Sequence, residues 1–124
     1  MKPSLLVADE DASIRRFLRM VLSSSFEVCA LRSGLEVAAA FERQDFSAAV
    51  LNSRLPDLSG LKVLEQLRAA GRRTPVVLIS GSGLDDGALR VVKADPYTAF
   101  LPKPFTPQEI RDLLATLIEG AAEE

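Results

Sequence analysis

Short apolar runs alternate along this chain with stretches in which apolar residues recur at helical spacing. Five runs of the first kind are separated or followed by five segments of the second kind. This alternation predicts repeated strand–helix units and a parallel sheet. The predicted strands lie at about Ser4–Ala8, Phe26–Ala30, Ala48–Asn52, Pro75–Ser80 and Thr98–Leu101.

Each predicted helix begins at a side chain that can accept a hydrogen bond from the backbone of the first turn. The expected caps are Asp11 or Ser13, then Ser33 in a capping box with Glu36, then Ser59, then Asp85 or Asp86, and finally Thr106 in a capping box with Glu109. The fourth helix is expected to be the least stable of the five, because it has few apolar residues and Asp95-Pro96 ends it.

Bulk properties predict one globular domain with an ordinary core. The chain has 124 residues, of which 48% are hydrophobic and 26% charged. No apolar run approaches the roughly 18 residues of a membrane span and the first residues lack a signal-peptide pattern, so we expect a cytoplasmic protein without membrane contact. A single cysteine and no histidine exclude an intrachain disulfide and a His/Cys zinc site.

The charge distribution and the end of the chain refine this picture. The formal net charge is -2, and the Lys and Arg residues are scattered rather than gathered in a stripe, so no direct contact with nucleic acid is expected. We expect the domain to fill residues 1–120. Residues 121–124 would then be a tail or the start of a linker.

Polar side chains mark the carboxyl ends of four predicted strands. Asp9 and Glu10 follow the first strand, Asn52 and Ser80 end the third and fourth, and Lys103 follows the fifth. Sites in open parallel sheets form beyond the carboxyl ends of the strands. Taken singly, the acids could cap a helix, the lysine could be solvated and the serine could be a loop hydroxyl. Their shared position favours one common crevice.

The same residues, in this order and spacing, closely resemble the receiver domain of two-component response regulators over nearly the whole chain. The matching motifs are Val7-Ala8-Asp9-Glu10 followed by Arg15, Asn52-x3-Pro56-x3-Gly60, Pro75-Val76-Val77-Leu78-Ile79-Ser80, and Phe100-Leu101-Pro102-Lys103-Pro104-Phe105. The resemblance implies a CheY-like, flavodoxin-like α/β fold: a doubly wound five-stranded parallel sheet, (βα)5, with strand order 2-1-3-4-5. It also implies phosphorelay signal transduction with a histidine kinase or phosphotransfer protein as partner.

The resemblance also assigns roles to single residues. Asn52 stands where such receivers have the phosphoaccepting aspartate, and Ser80 and Lys103 match the residues that contact the phosphoryl group. Phe100 matches the aromatic switch position, although a plain core role is equally open. Because a neutral amide lacks the nucleophilic oxygen that forms an acyl phosphate, we expect no phosphorylation as the sequence stands.

The metal site implied by the resemblance is weakened in the same way. Its ligands would be Asp9, Glu10, Asn52 and the backbone carbonyl of Arg54. Magnesium is held in proteins mainly through carboxylates, and one of three acids is missing, so we expect Mg²⁺ binding to be weak or absent. In the metal-free crevice Lys103 should pair with Asp9 or Glu10.

Three origins of Asn52 stay open. It is natural and defines a pseudo-receiver, or it is an engineered Asp→Asn block, or deamidation at Asn52-Ser53 slowly regenerates an acid. If the chain signals without phosphorylation, hydrogen bonds among Asn52, Ser80 and Lys103 are expected to hold the crevice in one state.

A function of another class would be an enzyme or a small-ligand-binding or nucleotide-binding protein on the same fold. The sequence lacks Gly-x-Gly-x-x-Gly after the first strand, lacks Gly-x4-Gly-Lys-Ser/Thr, and has no nucleophile paired with histidine. We therefore expect a non-enzymatic interaction module.

The surface through which receivers usually signal is formed by the fourth helix, fifth strand and fifth helix. Here it would carry charges of both signs, with Arg90, Lys93, Asp95, Tyr97, Arg111 and Asp112. Exposed ion pairs contribute at most about 1 kcal/mol each. By the resemblance, the expected partners on this surface are an output domain or a second copy of the chain. Because exposed ion pairs contribute so little, we expect such a homodimer to be weak.

Overall fold

A computed structural model describes residues 1–123. The strands are β1 (Ser4–Ala8), β2 (Glu27–Leu31), β3 (Ala48–Asn52), β4 (Val76–Ser80) and β5 (Thr98–Pro102). The helices are α1 (Ala12–Leu22), α2 (Gly34–Arg43), α3 (Gly60–Ala69), α4 (Asp86–Ala94) and α5 (Pro107–Ala122). All strand pairs are parallel and the sheet order is β2-β1-β3-β4-β5, so the predicted fold class and strand order are confirmed.

β1 and β3 have the expected bounds, whereas the other three strands and the end of α5 differ from the expected ones by one or two residues. β2 begins after Phe26, because the Phe26 N–H donates to the Leu22 carbonyl at 2.9 Å and closes the turn that follows α1. β5 includes Pro102, which an edge strand tolerates because no further strand needs its missing N–H. α5 continues to Ala122, past the expected domain end at residue 120, since alanine favours helix. The tail or linker role of residues 121–124 stays a prediction, with Glu124 outside the described residues.

The helix starts follow the capping chemistry of the sequence. The N-caps are Asp11, Ser33, Ser59, Asp85 and Thr106, and the capping boxes of α2 and α5 are complete. In each case the side-chain oxygen accepts a hydrogen bond from an N–H of the first turn that has no partner within the helix.

The core forms two layers, one on each side of the sheet. Helices α2, α3 and α4 cover one face, and their inward side chains include Val37, Leu64 and Val92. Helices α1 and α5 cover the other face, with Leu18 and Ile110 among their buried residues. With both faces covered, the carboxyl edge of the sheet is the open place where strand ends meet loops.

Helix α4 buries only Ala88 and Val92, and its Val91 is 39% exposed. That it is the least stable of the five helices stays a prediction. No helix within residues 1–123 combines the length and apolar character needed to cross a membrane.

Candidate functional site

Buried polar side chains meet at the carboxyl edge of the sheet. Asp9 is 1% exposed, Ser80 2% and Asn52 8%. Buried polar groups normally need hydrogen-bond partners. Among residues 1–123 no buried side-chain nitrogen or oxygen lacks one. The crevice is therefore satisfied by its own protein atoms, and the identity of those partners decides what it can do.

The carboxylate of Asp9 is paired inside the crevice. Its Oδ2 lies 2.7 Å from the Lys103 Nζ, and its Oδ1 accepts a hydrogen bond from the Asp11 N–H at 3.0 Å. The Lys103 N–H also donates to the Ser80 carbonyl at 2.9 Å, which holds the lysine beside the end of β4. The expected pairing of Lys103 with an acid is confirmed, and the acid is Asp9.

A second cation lies at the same strand end. The Arg15 Nη1 donates to the backbone carbonyls of Asp9 and Glu10, at 2.8 and 3.0 Å. The Glu10 side chain itself is exposed. Of the acids at this strand end, Asp9 is therefore the one held in an ion pair, with Lys103, while Arg15 binds the backbone.

Asn52 bonds within its own loop. Its Nδ2 donates to the Arg54 carbonyl at 2.7 Å, an orientation that chemistry requires because a carbonyl oxygen only accepts. The loop is held in place by the Ser53 N–H, which donates to the Ile79 carbonyl at 2.8 Å, and by the Gly60 N–H, which donates to the Ser53 carbonyl at 3.0 Å. A Cβ at Gly60 would collide with the Asn52 carbonyl oxygen, so only glycine fits there.

The Ser80 hydroxyl points into the loop after β4. Its Oγ donates to the Gly83 carbonyl at 3.0 Å and accepts from the Ser82 N–H at 3.3 Å. The prediction that the side chains of Asn52, Ser80 and Lys103 bond to one another is therefore wrong, and only the backbone bond from Lys103 to Ser80 joins two of these residues. Asn52 bonds to the Arg54 carbonyl, Ser80 to the turn after β4, and Lys103 to the buried Asp9 carboxylate.

Phe100, the aromatic residue of β5, lies two residues before the end of that strand. Phe100 is half-buried and packs against the apolar layer under α2, α3 and α4. Both a core role and a switch role are compatible with this place, so its switch role stays a prediction.

The donor atoms at this edge do not fit a divalent cation well. Within residues 1–123 there is no cluster of three or more His, Cys, Asp or Glu side chains suited to a metal ion. The Arg54 carbonyl already accepts the Asn52 amide, and the Asp9 carboxylate already neutralises Lys103. Magnesium requires near-octahedral oxygen ligands, and here the candidates are few and engaged.

The loop after β3 also forms hydrogen bonds to the start of α2. The sequence did not predict this contact. The Asp57 Oδ1 accepts from the Leu35 N–H at 3.0 Å, and the Pro56 carbonyl accepts from the Gly34 N–H at 3.3 Å. Asp57 has a φ of 65°, a left-handed conformation that aspartate tolerates better than most residues. The Pro-Asp pair was a signal for a turn but not for its distant partner.

Asp95, expected on the interaction surface, is instead engaged internally. Its Oδ2 accepts from the Arg68 Nε at 2.7 Å and from the Thr98 hydroxyl at 2.8 Å, and its Oδ1 accepts from the Tyr97 N–H at 2.9 Å. Burial acts to raise the pKa of Asp95, but these hydrogen bonds and the Arg68 charge together lower the pKa below its usual value. Asp95 is thus not available for an ion pair with a partner.

Another member of that surface also points elsewhere. The Arg111 Nη2 donates to the Val21 carbonyl at 3.3 Å, so this side chain leans toward the end of α1. The balanced set of charges expected for reciprocal ion pairs is therefore reduced. Near the end of α4 the exposed charged residues are Arg90 and Lys93. Both are cations, so this part of the surface no longer offers charges of both signs.

Comparison with known proteins identifies the class. The profile of the response regulator receiver domain matches residues 5–115, which is most of the chain. The chain belongs to the response regulator receiver domain family and is a CheY-like module of two-component signalling.

Individual relatives match nearly the whole length of this chain. The chain is 30% identical over 114 residues to the response regulator protein PilR of Pseudomonas aeruginosa, covering 91% of this chain but only 25% of that protein. The signal receiver domain of a putative LuxO repressor protein from Vibrio parahaemolyticus superposes with a TM-score of 0.88 at 20% identity, covering 99% of this chain and 95% of that one.

A third relative was solved with a metal. The receiver domain of a sensor histidine kinase from Pseudomonas aeruginosa has a TM-score of 0.83 at 24% identity, covering 96% of this chain and 99% of that one. That structure holds a magnesium ion coordinated in its active-site cleft. Since the chain spans about a quarter of PilR, the activities of such longer proteins are not carried over to it.

Proposed function

We propose that this chain is a receiver domain that does not accept a phosphoryl group and acts as a protein-interaction module. The observation that carries the proposal is the Asn52 amide at the end of β3, donating to the Arg54 carbonyl within a crevice that also holds Asp9 and Lys103. By its place in the motif, residue 52 is the phosphoacceptor position of the family.

The chemistry of the amide supports the proposal. Attack on phosphorus needs an electron-rich oxygen, and a carboxylate supplies one in the acyl-phosphate step. The Asn52 side chain is neutral, and its amino group is directed at a carbonyl. Ser80 and Lys103, which by resemblance would contact the phosphoryl group, bond to a loop carbonyl and to a carboxylate.

Weak or absent Mg²⁺ binding is part of the same proposal. Lys103 already neutralises the buried Asp9 carboxylate, which reduces the negative charge available to a cation. The Asn52 amino group donates to the Arg54 carbonyl, whose oxygen a metal would otherwise use. The chain would thus be stable in one state without a metal.

The partners proposed are those of a signalling module. A histidine kinase or phosphotransfer protein could still dock, without chemistry, and an output domain or a second copy would contact the surface of α4, β5 and α5. No catalytic role is proposed, because no nucleophile with a base is assembled at the crevice within residues 1–123. The cytoplasmic location stays a prediction.

Phosphorylation of the chain with acetyl phosphate tests the proposal. In the presence of Mg²⁺, mass spectrometry should detect no base-labile phosphate adduct on the parent chain, and the Asn52→Asp variant should gain one. Asn52→Ser serves as the control, since it removes the amide without adding a carboxylate. A stoichiometric adduct on the parent chain would contradict the proposal.

The origin of Asn52 is open between a natural pseudo-receiver and an engineered Asp→Asn block. The codon at this position in the parent gene distinguishes them. Either origin leads to the same chemistry in the chain as written.

A further inference from the structure

A groove opens at the amino edge of the sheet, the edge opposite the crevice of Asn52. It lies between the carboxyl-terminal ends of α3 and α4, beside the residue that leads into β5. Arginines line one side of this groove, and small apolar groups line the other together with Asp95, whose carboxylate is paired with Arg68. We call it the basic–aromatic groove and define it by Arg68, Arg72, Arg73, Val91, Pro96 and Tyr97.

The ring of Tyr97 organises the arginines of the basic–aromatic groove. The guanidinium carbons of Arg68 and Arg73 each lie 5.9 Å from the centroid of this ring. A guanidinium over an aromatic face is attracted by the ring quadrupole. Arg68 is already held by its ion pair with Asp95, so the ring mainly restricts the position of the exposed Arg73 guanidinium.

Only one of the three arginines carries an uncompensated charge. The Arg68 Nε is 2.7 Å from Asp95, and the Arg72 Nη1 is 2.8 Å from Asp45. Arg73 is exposed and forms no ion pair with any acid in residues 1–123. The groove thus presents one oriented guanidinium that is free to bind an anion.

An apolar strip lies beside that guanidinium. Val91 is one of the few large apolar side chains that stay exposed, and the neighbouring Ala94 and Pro96 are exposed as well. Together with the half-buried ring of Tyr97 they form a surface that water covers poorly. Aromatic residues and arginine side by side are the composition typical of binding hot spots.

We propose that the basic–aromatic groove binds a segment of a partner protein that presents a carboxylate next to an apolar side chain. The carboxylate would take the planar fork of the Arg73 guanidinium in a bidentate pair. The apolar side chain would cover Val91 and the Tyr97 ring.

The charge of the groove favours a protein segment over nucleic acid. Affinity for a phosphate backbone grows with the number of phosphates that are neutralised. Within the described residues, the arginines of this groove include one without an ion pair, Arg73, and the chain has a formal net charge of -2. One or two carboxylates are enough to neutralise this single positive charge. The apolar strip adds contact area that a phosphate backbone would not use.

NMR titration of the full ¹⁵N-labelled chain tests the proposal. The probe is the peptide acetyl-Leu-Glu-Glu-Leu-amide, and its glutamine counterpart acetyl-Leu-Gln-Gln-Leu-amide is the charge control. We expect saturable shifts at the backbone amides of Gly71, Arg73, Val91 and Tyr97 with the acidic peptide only. Tyr97 is the only tyrosine and the chain has no tryptophan, so intrinsic fluorescence gives a second reading from the groove itself.

Two charge-matched variants locate the binding. Arg73→Gln should weaken the acidic peptide about tenfold, the loss expected for one charged hydrogen-bonded contact. Arg16→Gln removes an exposed arginine from α1 on the other side of the sheet and should leave the affinity unchanged. Asn52→Asp should also leave it unchanged, so this test is independent of the function proposed for the crevice.

Several results would overturn the proposal. These are no shifts in the groove, equal binding of the glutamine peptide, equal loss in both arginine variants, or tighter binding of a single-stranded DNA decamer at the same amides. Shifts at the same amides that grow with protein concentration alone would assign the groove to a second copy of the chain instead.

Discussion

Replacing Asn52 by aspartate should destabilise the metal-free chain, and Mg²⁺ should recover much of the loss. In the parent, the Asn52 Nδ2 donates to the Arg54 carbonyl at 2.7 Å. An aspartate oxygen in that place is an acceptor that faces another acceptor, and the Arg54 carbonyl loses its donor. Leaving this part-buried carbonyl without its donor costs about 2 kcal/mol, within the range of about 1 to 3 kcal/mol for buried groups.

The new negative charge of Asn52→Asp changes the stability by less than the lost hydrogen bond does. At an effective dielectric of about 20, the new carboxylate and that of Asp9 would repel by about 3 kcal/mol at roughly 5 Å, and attraction to Lys103 would offset a comparable amount. The expected net loss is therefore about 2 kcal/mol, which lowers the melting temperature of a domain of this size by about 8 °C. A metal present at about ten times its dissociation constant would return about 1.4 kcal/mol.

Urea unfolding followed by circular dichroism, in EDTA and in Mg²⁺, measures both effects. Gln66→Glu is the matched control, because it makes the same amide-to-acid change at an exposed position on α3. We expect that control to change stability little and to respond to Mg²⁺ like the parent. Equal stability of Asn52→Asp and the parent in EDTA, or the same Mg²⁺ response in both, would refute the reasoning.

Further predictions concern three other residues. Lys103→Met should cost about 3 kcal/mol because it leaves a buried carboxylate unpaired, and the double variant Asp9→Asn/Lys103→Met should recover most of that in urea unfolding; additive losses would contradict this. Beryllofluoride should barely shift the NMR signal of Phe100, since residue 52 offers no carboxylate; large shifts would show that the chain is switchable. Asp95→Asn should lose about 2 kcal/mol at pH 7. Because the folded pKa of Asp95 is lowered, its contribution exists above the unfolded pKa and is lost as pH falls through the folded value, so the stability gap between variant and parent should close in acid; a gap that is constant with pH would contradict it.

The parts of the fold that the sequence predicts well depend on local chemistry. The caps at Ser33, Ser59 and Thr106 were predictable because a hydroxyl and the N–H groups of the first turn are within three residues of each other. Runs of buried strand residues were predictable because both faces of a parallel sheet are covered. The pairing of Lys103 with one of the two acids after β1, Asp9 or Glu10, followed from topology, since parallel strands bring their carboxyl ends to one edge; that the acid is Asp9 came from the structure.

The parts that escaped prediction depend on loop geometry or on distant partners. Which acceptor Asn52 and Ser80 would choose depended on the path of two loops, and each side chain bonds to a carbonyl no more than three residues away. Asp95 reads in sequence as an exposed helix-ending acid. Its main partner, Arg68, is 27 residues away, and only the packing of α3 beside α4 and β5 brings them together.

The backbone around Asn52 argues against deamidation as a route to an active acceptor. Deamidation of an Asn-Ser pair requires the Ser53 nitrogen to attack the side-chain carbonyl carbon of Asn52 and form a five-membered imide. In the folded chain the Ser53 N–H donates to the Ile79 carbonyl at 2.8 Å, so that nitrogen is held in the sheet. The side-chain amide is also engaged, by the Arg54 carbonyl at 2.7 Å.

Attack on the Asn52 side chain thus needs local opening of the end of β3. If this opening costs about 3 kcal/mol, deamidation in the folded chain should be on the order of 100 times slower than in unfolded chain. Asn52 is the only asparagine, and fragment-ion spectra separate its mass gain from that of any glutamine, so the change can be assigned to this one position. Incubating the chain with and without denaturing urea at the same pH, followed by mass spectrometry, measures the ratio. Similar rates would mean that Ser53 is not protected by the sheet, and acid regeneration in the folded protein would return as an origin of phosphorylation. A large ratio would leave a natural asparagine and an engineered Asp→Asn block as the two origins of Asn52 that stay open.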